Sequence, residues 1–242
     1  GMVKCIDDNV GKILSALRTA GVLEKTVVVF TADHGDLCGE HGRDNKGVPL
    51  EGSAKIPFVM YCPGKVKPGT VVKEALSCVD FLPTVMGLMG LKTAGKEEGR
   101  DASGLFTGKP PADWKDIAFI RGTGKGDSVN WLAAVTSRYK LVLSPRDEPW
   151  LIDLQKDPNE LVNLFQDAAH RETVRKLAAD LVAYCAKHND NYGSHPRIKA
   201  DLTWAVEGTG KYAPPAGLAE KPISKPAGGR RKKRRAGKLG GA

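Results

Sequence analysis

Residues 31 to 42 read TADHGDLCGEHG, so two histidines, two aspartates, a glutamate and three glycines fall within twelve positions. Asp33 and His34 are adjacent in this run. A carboxylate gives a hard anionic oxygen and a neutral imidazole gives a nitrogen, and such a mixed pair suits a divalent cation. Two ligands do not complete a site, so others must join them. The structural alternative weighs equally on spacing alone: Asp33 caps the following turn and His34 is a hydrogen-bonded loop histidine.

The elements around the loop favour a site. TVVVF at 26–30 is a run of β-branched and aromatic residues, which reads as a strand buried on both faces of a parallel sheet. Ligand sites of open α/β sheets lie beyond the carboxyl ends of such strands, and Asp33 and His34 occupy that place. Ile6, Val10, Ile13, Leu14 and Leu17 recur at helical spacing over 6–20, with Asp7 and Asp8 near the start and Gly21 as a stop. A second buried strand, IPFVMYCPG, follows at 56–64, and an apolar helix runs from Asp80 to Gly90. Helix, strand, loop, strand, helix is the grammar of an α/β domain. Residues 92 to 116 read as a connection. DIAFIRG, NWLAAVTS, YKLVLSP and PWLIDLQ then read as short antiparallel strands, followed by a helix over 172–188 and linker-like composition from 208.

The net charge of +9 on 242 residues is concentrated at one end. Residues 221 to 242 carry nine Lys and Arg and no acid; without them 28 basic residues balance 28 acidic ones. The body is neutral, and the tail is expected to be disordered and solvated, with binding of nucleic acid or another polyanion as a secondary possibility. No stretch approaches the ~18 apolar residues of a membrane span, and the first ten residues have no apolar h-region of a signal peptide. The five cysteines have no metal-ligand spacing and form no disulfide framework.

The segment VVVFTADHGDLCGEHG, followed by DNKGVPLEGSAKIPFVMYCPG, resembles the second conserved region of the sulfatases, within the alkaline phosphatase superfamily. CIDDNVGKILSALRTAGVLEKT, VDFLPTVMGLMGL, SRYKLVLS and WLIDLQKDPNELVNL are similar to further blocks of the family, in the family's order over about residues 3 to 190. The resemblance makes Asp33 and His34 ligands of the active-site cation. It places Lys46 on the sulfate group, where an ammonium offsets charge building on the sulfuryl oxygens. His41, in GEHG, would face the substrate or donate a proton. The implied cation is Ca²⁺ first, with Mg²⁺ or Mn²⁺ as alternatives. Glu51 and Lys55 match positions that organise the turn before the next strand. In DPNELVNL, Asp157 and Pro158 make a turn, Glu160 and Asn163 bond backbone, and Leu164 packs. Cys38 reads as a packing residue rather than a reactive thiol.

The family's nucleophile, a Cys or Ser in Cys/Ser-x-Pro-x-Arg that matures to formylglycine, has no counterpart in this sequence. The first aspartate pair of the cation shell is likewise expected upstream, since Asp7 and Asp8 sit in the helix before the metal strand. The expectation is therefore a C-terminal half of a sulfatase. Residues 1–100 would be part of the catalytic α/β domain, 101–205 an antiparallel-sheet subdomain with its helix, and 206–242 a basic tail. A complementary N-terminal half is the implied partner and a sulfate ester, small molecule or carbohydrate, the implied substrate. A phosphodiesterase or phosphonate hydrolase of the same superfamily, and a non-catalytic polyanion-binding remnant, are the alternatives.

Overall fold

The structure, a computed structural model, describes residues 1–123 and 129–215. Helix α1 (Met2–Thr19) opens the chain. It starts earlier than its apolar stripe suggests, which puts Asp7 and Asp8 in its second turn, and Lys4 pairs with Asp8 at 2.9 Å. The helix ends before Gly21, whose φ of 68° only glycine adopts without cost. None of its residues is buried.

Strand β1 (Val28–Thr31) pairs with β2 (Phe58–Tyr61), and the pairing is antiparallel, with Thr31 opposite Phe58. This corrects the expected parallel arrangement. A parallel pair needs a crossover that returns the chain to the other end of the sheet. Here the connection stays at one end, and Thr31 Oγ1 donates to the Pro57 carbonyl at 2.8 Å, joining its two ends. Nor are these strands buried on both faces: Phe30 is 47% exposed and Val59 63%. Their inner side chains, among them Met60, meet Leu88, Leu105 and Phe106 in a small apolar cluster.

Helix α2 (Glu51–Ala54) is a single turn, and α3 (Phe81–Met89) follows a 3₁₀ turn over Cys78–Asp80. Ser77 and Asp80 form a reciprocal capping box, and Gly90 closes α3 in the left-handed region. The expected connection over 92–116 contains one short helix, α4 (Ser103–Thr107).

A four-stranded antiparallel meander comes next: β3 (Ala118–Thr123), β4 (Val129–Val135), β5 (Tyr139–Leu143) and β6 (Trp150–Asp153), in that order. One face, with Leu132, Ala134, Leu141, Leu143 and Leu151, packs on α5 (Arg171–His188) and α6 (Pro196–Glu207) to make the main core. Val174, Leu177, Ala178, Leu181 and Cys185 give α5 its buried stripe at i, i+3, i+4 spacing. The opposite face, with Trp131, Ala133, Val142 and Trp150, turns toward the site loop, where Trp131 Nε1 donates to the Gly47 carbonyl at 3.0 Å.

Helix α6 has no counterpart in the expected elements, and it ends the supposed tail's claim to residues 206–215. Val206 and Glu207 complete it, and Tyr212 beyond it is buried. Burial of apolar surface explains the ordering: Tyr212 stands edge-on to Phe165 and Trp204. Its hydroxyl donates to Asp201 at 2.6 Å and accepts from Arg197 at 3.1 Å, and Arg197 also donates to Asp201 at 2.8 Å. Tyr212→Phe leaves Asp201 one donor short, so a loss of about 1–3 kcal/mol is expected in urea denaturation. The basic run of the tail lies outside the described residues. No described helix is long and apolar enough to cross a membrane.

Candidate functional site

The chain leaves β1 and turns at once. The His34 N–H donates to Asp33 Oδ1 at 2.9 Å, and His34 Nδ1 lies 2.7 Å from the Gly35 carbonyl. A carbonyl only accepts, so Nδ1 carries the proton and Nε2 keeps its lone pair. Asp33 Oδ2 is 3.3 Å from that nitrogen, and the Lys46 ammonium is 2.5 Å from it. An ammonium only donates, which requires the same tautomer. An N–H held by a carbonyl, with the other nitrogen aimed at a cation position, is how metal-ligating imidazoles are oriented.

Asp33, His34 and Lys46 thus converge, and the Asp33 side chain is largely open to solvent. A carboxylate oxygen and an imidazole lone pair side by side fit part of a divalent cation site. Among the described residues no group of three or more His, Cys, Asp or Glu side chains converges to complete one. His41 is not brought into the group: it is exposed, sits in the 3₁₀ turn Glu40–Gly42 at φ 54°, and makes no hydrogen bond or ion pair among the described residues.

The backbone between His34 and Lys46 is tightly wound. Cys38, His41 and Asn45 all have left-handed φ values of 47°, 54° and 73°, each at a cost of order 1 kcal/mol. Asp36 organises this segment, since its Oδ1 accepts from the Cys38 N–H at 2.8 Å and the Asn45 N–H at 3.2 Å. Buried Leu37 anchors it, with its N–H on the Asn45 carbonyl. The Cys38 amide, above all, holds the Asp36 carboxyl below the ordinary carboxylate value of 3.8. Asp36 in turn pushes the Cys38 thiol up, which keeps it protonated and unreactive. Cys38 is exposed rather than packed, while its neighbour Leu37 is buried.

The sign of the Asp36 effect follows. A carboxyl depressed on folding stabilises the loop above the unfolded value, and that contribution is lost as pH falls through the lower folded value. The Cys38 and Asn45 amide resonances are expected to move with a midpoint below 3.8, and Asp36→Asn to abolish the step.

Other expected residues take structural places. Lys55 lies 3.6 Å from Glu51. Asp157 Oδ2 accepts from the Leu161 and Val162 amides, and Asn163 Oδ1 accepts from Leu151 and Phe165. Ser53, Trp131 and Lys140 contact the site loop or its supports and were not singled out by spacing. The one signal for Lys140 was a charge inside the otherwise apolar strand YKLVL.

Residues 39–187 match the family described as N-sulphoglucosamine sulphohydrolase, C-terminal. The chain belongs to this sulfatase family. It is 32% identical over 195 residues to an arylsulfatase of Clostridium perfringens, across 79% of this chain and 40% of that protein. Among solved structures, a sulfatase-fold neighbour described as bound to its substrate D-glucosamine-2-N,6-O-disulfate superposes with a TM-score of 0.68 at 27% identity, over 78% of this chain and 40% of the other. The phosphonate monoester hydrolase of Agrobacterium radiobacter gives 0.65 at 30% identity, with the same coverage. This sulfatase-family chain therefore spans about 40% of the length of these relatives. The family match covers His41 and Lys46 and begins after Asp33 and His34. The neighbours carry the alkaline-phosphatase-like fold, so the mixed α/β class holds although the strand pair in hand is antiparallel.

Proposed function

We propose that this chain is the C-terminal portion of a metal-dependent sulfuric ester hydrolase, with Asp33 and His34 as two ligands of the cation and Lys46 on the sulfuryl group. The observation that carries the reading is the convergence of Asp33 Oδ2 and the Lys46 ammonium on the unprotonated His34 Nε2. A divalent cation, when bound, would polarise the sulfuryl oxygens. Ca²⁺ suits the exposed carboxylate best, with Mg²⁺ or Mn²⁺ also compatible with the imidazole. Asp33 supplies an anionic oxygen, and the Gly35 carbonyl fixes the His34 tautomer. Lys46 brings a positive charge to oxygens that become more negative as the ester bond breaks. His41 keeps its role of facing the substrate or donating a proton only through its family position, since its exposed turn lies outside the three converging groups.

The remaining ligands and the formylglycine nucleophile belong, in this reading, to a complementary N-terminal portion. Phe30, Val59 and Tyr61 on the strand pair, Ile6 and Ile13 on α1, and Leu82 and Met89 on α3 are exposed apolar groups that such a portion would cover. The division of the chain near residue 100 belongs to the same proposal, but the two apolar clusters part later, between Trp114 and Ile117, because Ala102, Leu105, Phe106 and Trp114 pack with Met60 and Leu88. The disulfated glucosamine in the neighbouring structure and the family's description favour a sulfated carbohydrate as substrate. The phosphonate hydrolase neighbour favours phosphoryl transfer as the second reading.

The test begins with the coding DNA upstream, read for Cys/Ser-x-Pro-x-Arg, followed by assay of the continuous enzyme on phenyl sulfate and phenyl phosphate. Preferential sulfate release, abolished by Asp33→Ala, is expected, and no turnover by the 242-residue chain alone. Aryl sulfate hydrolysis by that chain, or full activity of the Asp33 variant, would overturn the assignment; preference for the phosphate would move it to the second reading.

A further inference from the structure

Helix α2 is only one turn long, yet both strands of the candidate site hang on it. The Gly35 N–H, next to His34, donates to the Ser53 carbonyl at 2.9 Å. The Gly47 N–H, next to Lys46, donates to Ser53 Oγ at 3.0 Å. Ser53 is buried, and a Cβ on Gly35 would come within 2.1 Å of the Gly52 carbonyl oxygen. The His34 segment is thus pressed directly against α2, which only glycine permits at position 35.

The other end of α2 is held from the antiparallel sheet. Lys140 of β5 is 1% exposed, and its ammonium lies 2.7 Å from Glu51 Oε1, 2.7 Å from Glu160 Oε1 and 2.8 Å from the Pro49 carbonyl. All three of its donors are therefore used. Glu160 Oε2 also accepts the Glu51 N–H at 2.6 Å, which satisfies an orphan amide at the start of α2. A buried charge cluster of this kind contributes little net stability relative to apolar packing, but it defines one geometry.

We propose that Lys140, Glu160 and Ser53 are positioning residues: the Lys140–Glu51–Glu160 cluster fixes α2 against the sheet, and Ser53 passes that placement to the backbone beside His34 and Lys46. Neither of those residues lies in regular structure, and the left-handed segment between them relaxes unless it is held. Side chains that must meet at one point need such outside support. The inference rests on the sulfatase reading only for what the positioned groups do, because the placement is a property of the chain without cation or substrate.

Amide hydrogen exchange followed by NMR on the 242-residue chain tests it, and requires neither metal nor turnover. Glu160→Gln keeps the volume but cannot accept from both Lys140 and the Glu51 amide. Protection of Gly35 and Gly47 is expected to fall by about tenfold or more relative to Val174 and Leu181 of α5, and the His34 Hε1 resonance to move. In Ser53→Ala, which leaves the main-chain acceptor in place, Gly47 is expected to lose protection while Gly35 keeps it. Unchanged protection at both glycines, or a loss shared equally by the α5 amides, would overturn the proposal while leaving the sulfatase reading to its own assay.

Discussion

Lys46→Ala is expected to lower kcat for an aryl sulfate by about 10²–10³-fold in the continuous enzyme, with a smaller change in KM. Charge on the sulfuryl oxygens and the leaving oxygen grows between ground state and transition state, so an ammonium beside them acts mainly on kcat. The Lys46 ammonium lies 2.5 Å from His34 Nε2, within reach of the site. That nitrogen has one lone pair, so a cation bound there would displace the ammonium toward the sulfuryl oxygens. Lys46→Arg tests the same point by geometry: the broader guanidinium keeps the charge but not the compact contact, and partial recovery is expected. Steady-state kinetics of the two variants checks both statements; an unchanged kcat in Lys46→Ala would remove Lys46 from the reaction.

Lys140→Met carries the largest expected cost to folding. Methionine fills the space of the buried side chain but leaves the buried Glu160 carboxylate without its cation, and Glu51 with only the exposed Lys55 ammonium at 3.6 Å. Breaking a buried pair from one side costs about 3–5 kcal/mol, to be read as a shift in urea midpoint with unchanged slope. Replacing Glu51 and Glu160 together with Lys140 by apolar residues should recover most of that loss, because no uncompensated charge remains. A loss under about 1 kcal/mol for Lys140→Met would show that the carboxylates find other partners or protonate without consequence.

The parts of the fold that were legible in the sequence are those whose signal is local. The four strands of the meander and α5 follow period and turn chemistry, and each observed span lies within or close to its expected run. The direction of β2 against β1 is not local: it depends on where the 31–58 connection returns, which the contact of Thr31 with Pro57 decides. Helix α6 escaped for a different reason. Its buried face includes Arg197 and Asp201, which pair with each other along the helix and with Tyr212 beyond it. Charge at core positions hides a helix from any apolar count.

The site divides in the same way. Asp33 and His34 were legible as a pair because adjacency after a strand is a chain property, and Lys46 through its family position. Their convergence on one nitrogen was not, since it needs Asp36 to wind the loop and Ser53 to hold both ends of it. Lys140 and Glu160 lie about a hundred residues from Glu51 in the chain, and only the docked sheet brings them together. His41 shows the converse: its motif pointed to the site, while its left-handed backbone carries it to an exposed turn apart from the three converging groups.

The most direct measurement adds Mn²⁺ to the isotope-labelled chain and follows paramagnetic broadening residue by residue, which detects even weak occupancy of a site with two protein ligands. Broadening is expected first at the His34 ring, the Asp33 and Gly35 amides and Lys46, and is expected to vanish there in Asp33→Ala. Broadening that spares His34, or that persists around it unchanged in the Asp33 variant, would contradict a cation held between that carboxylate and that imidazole.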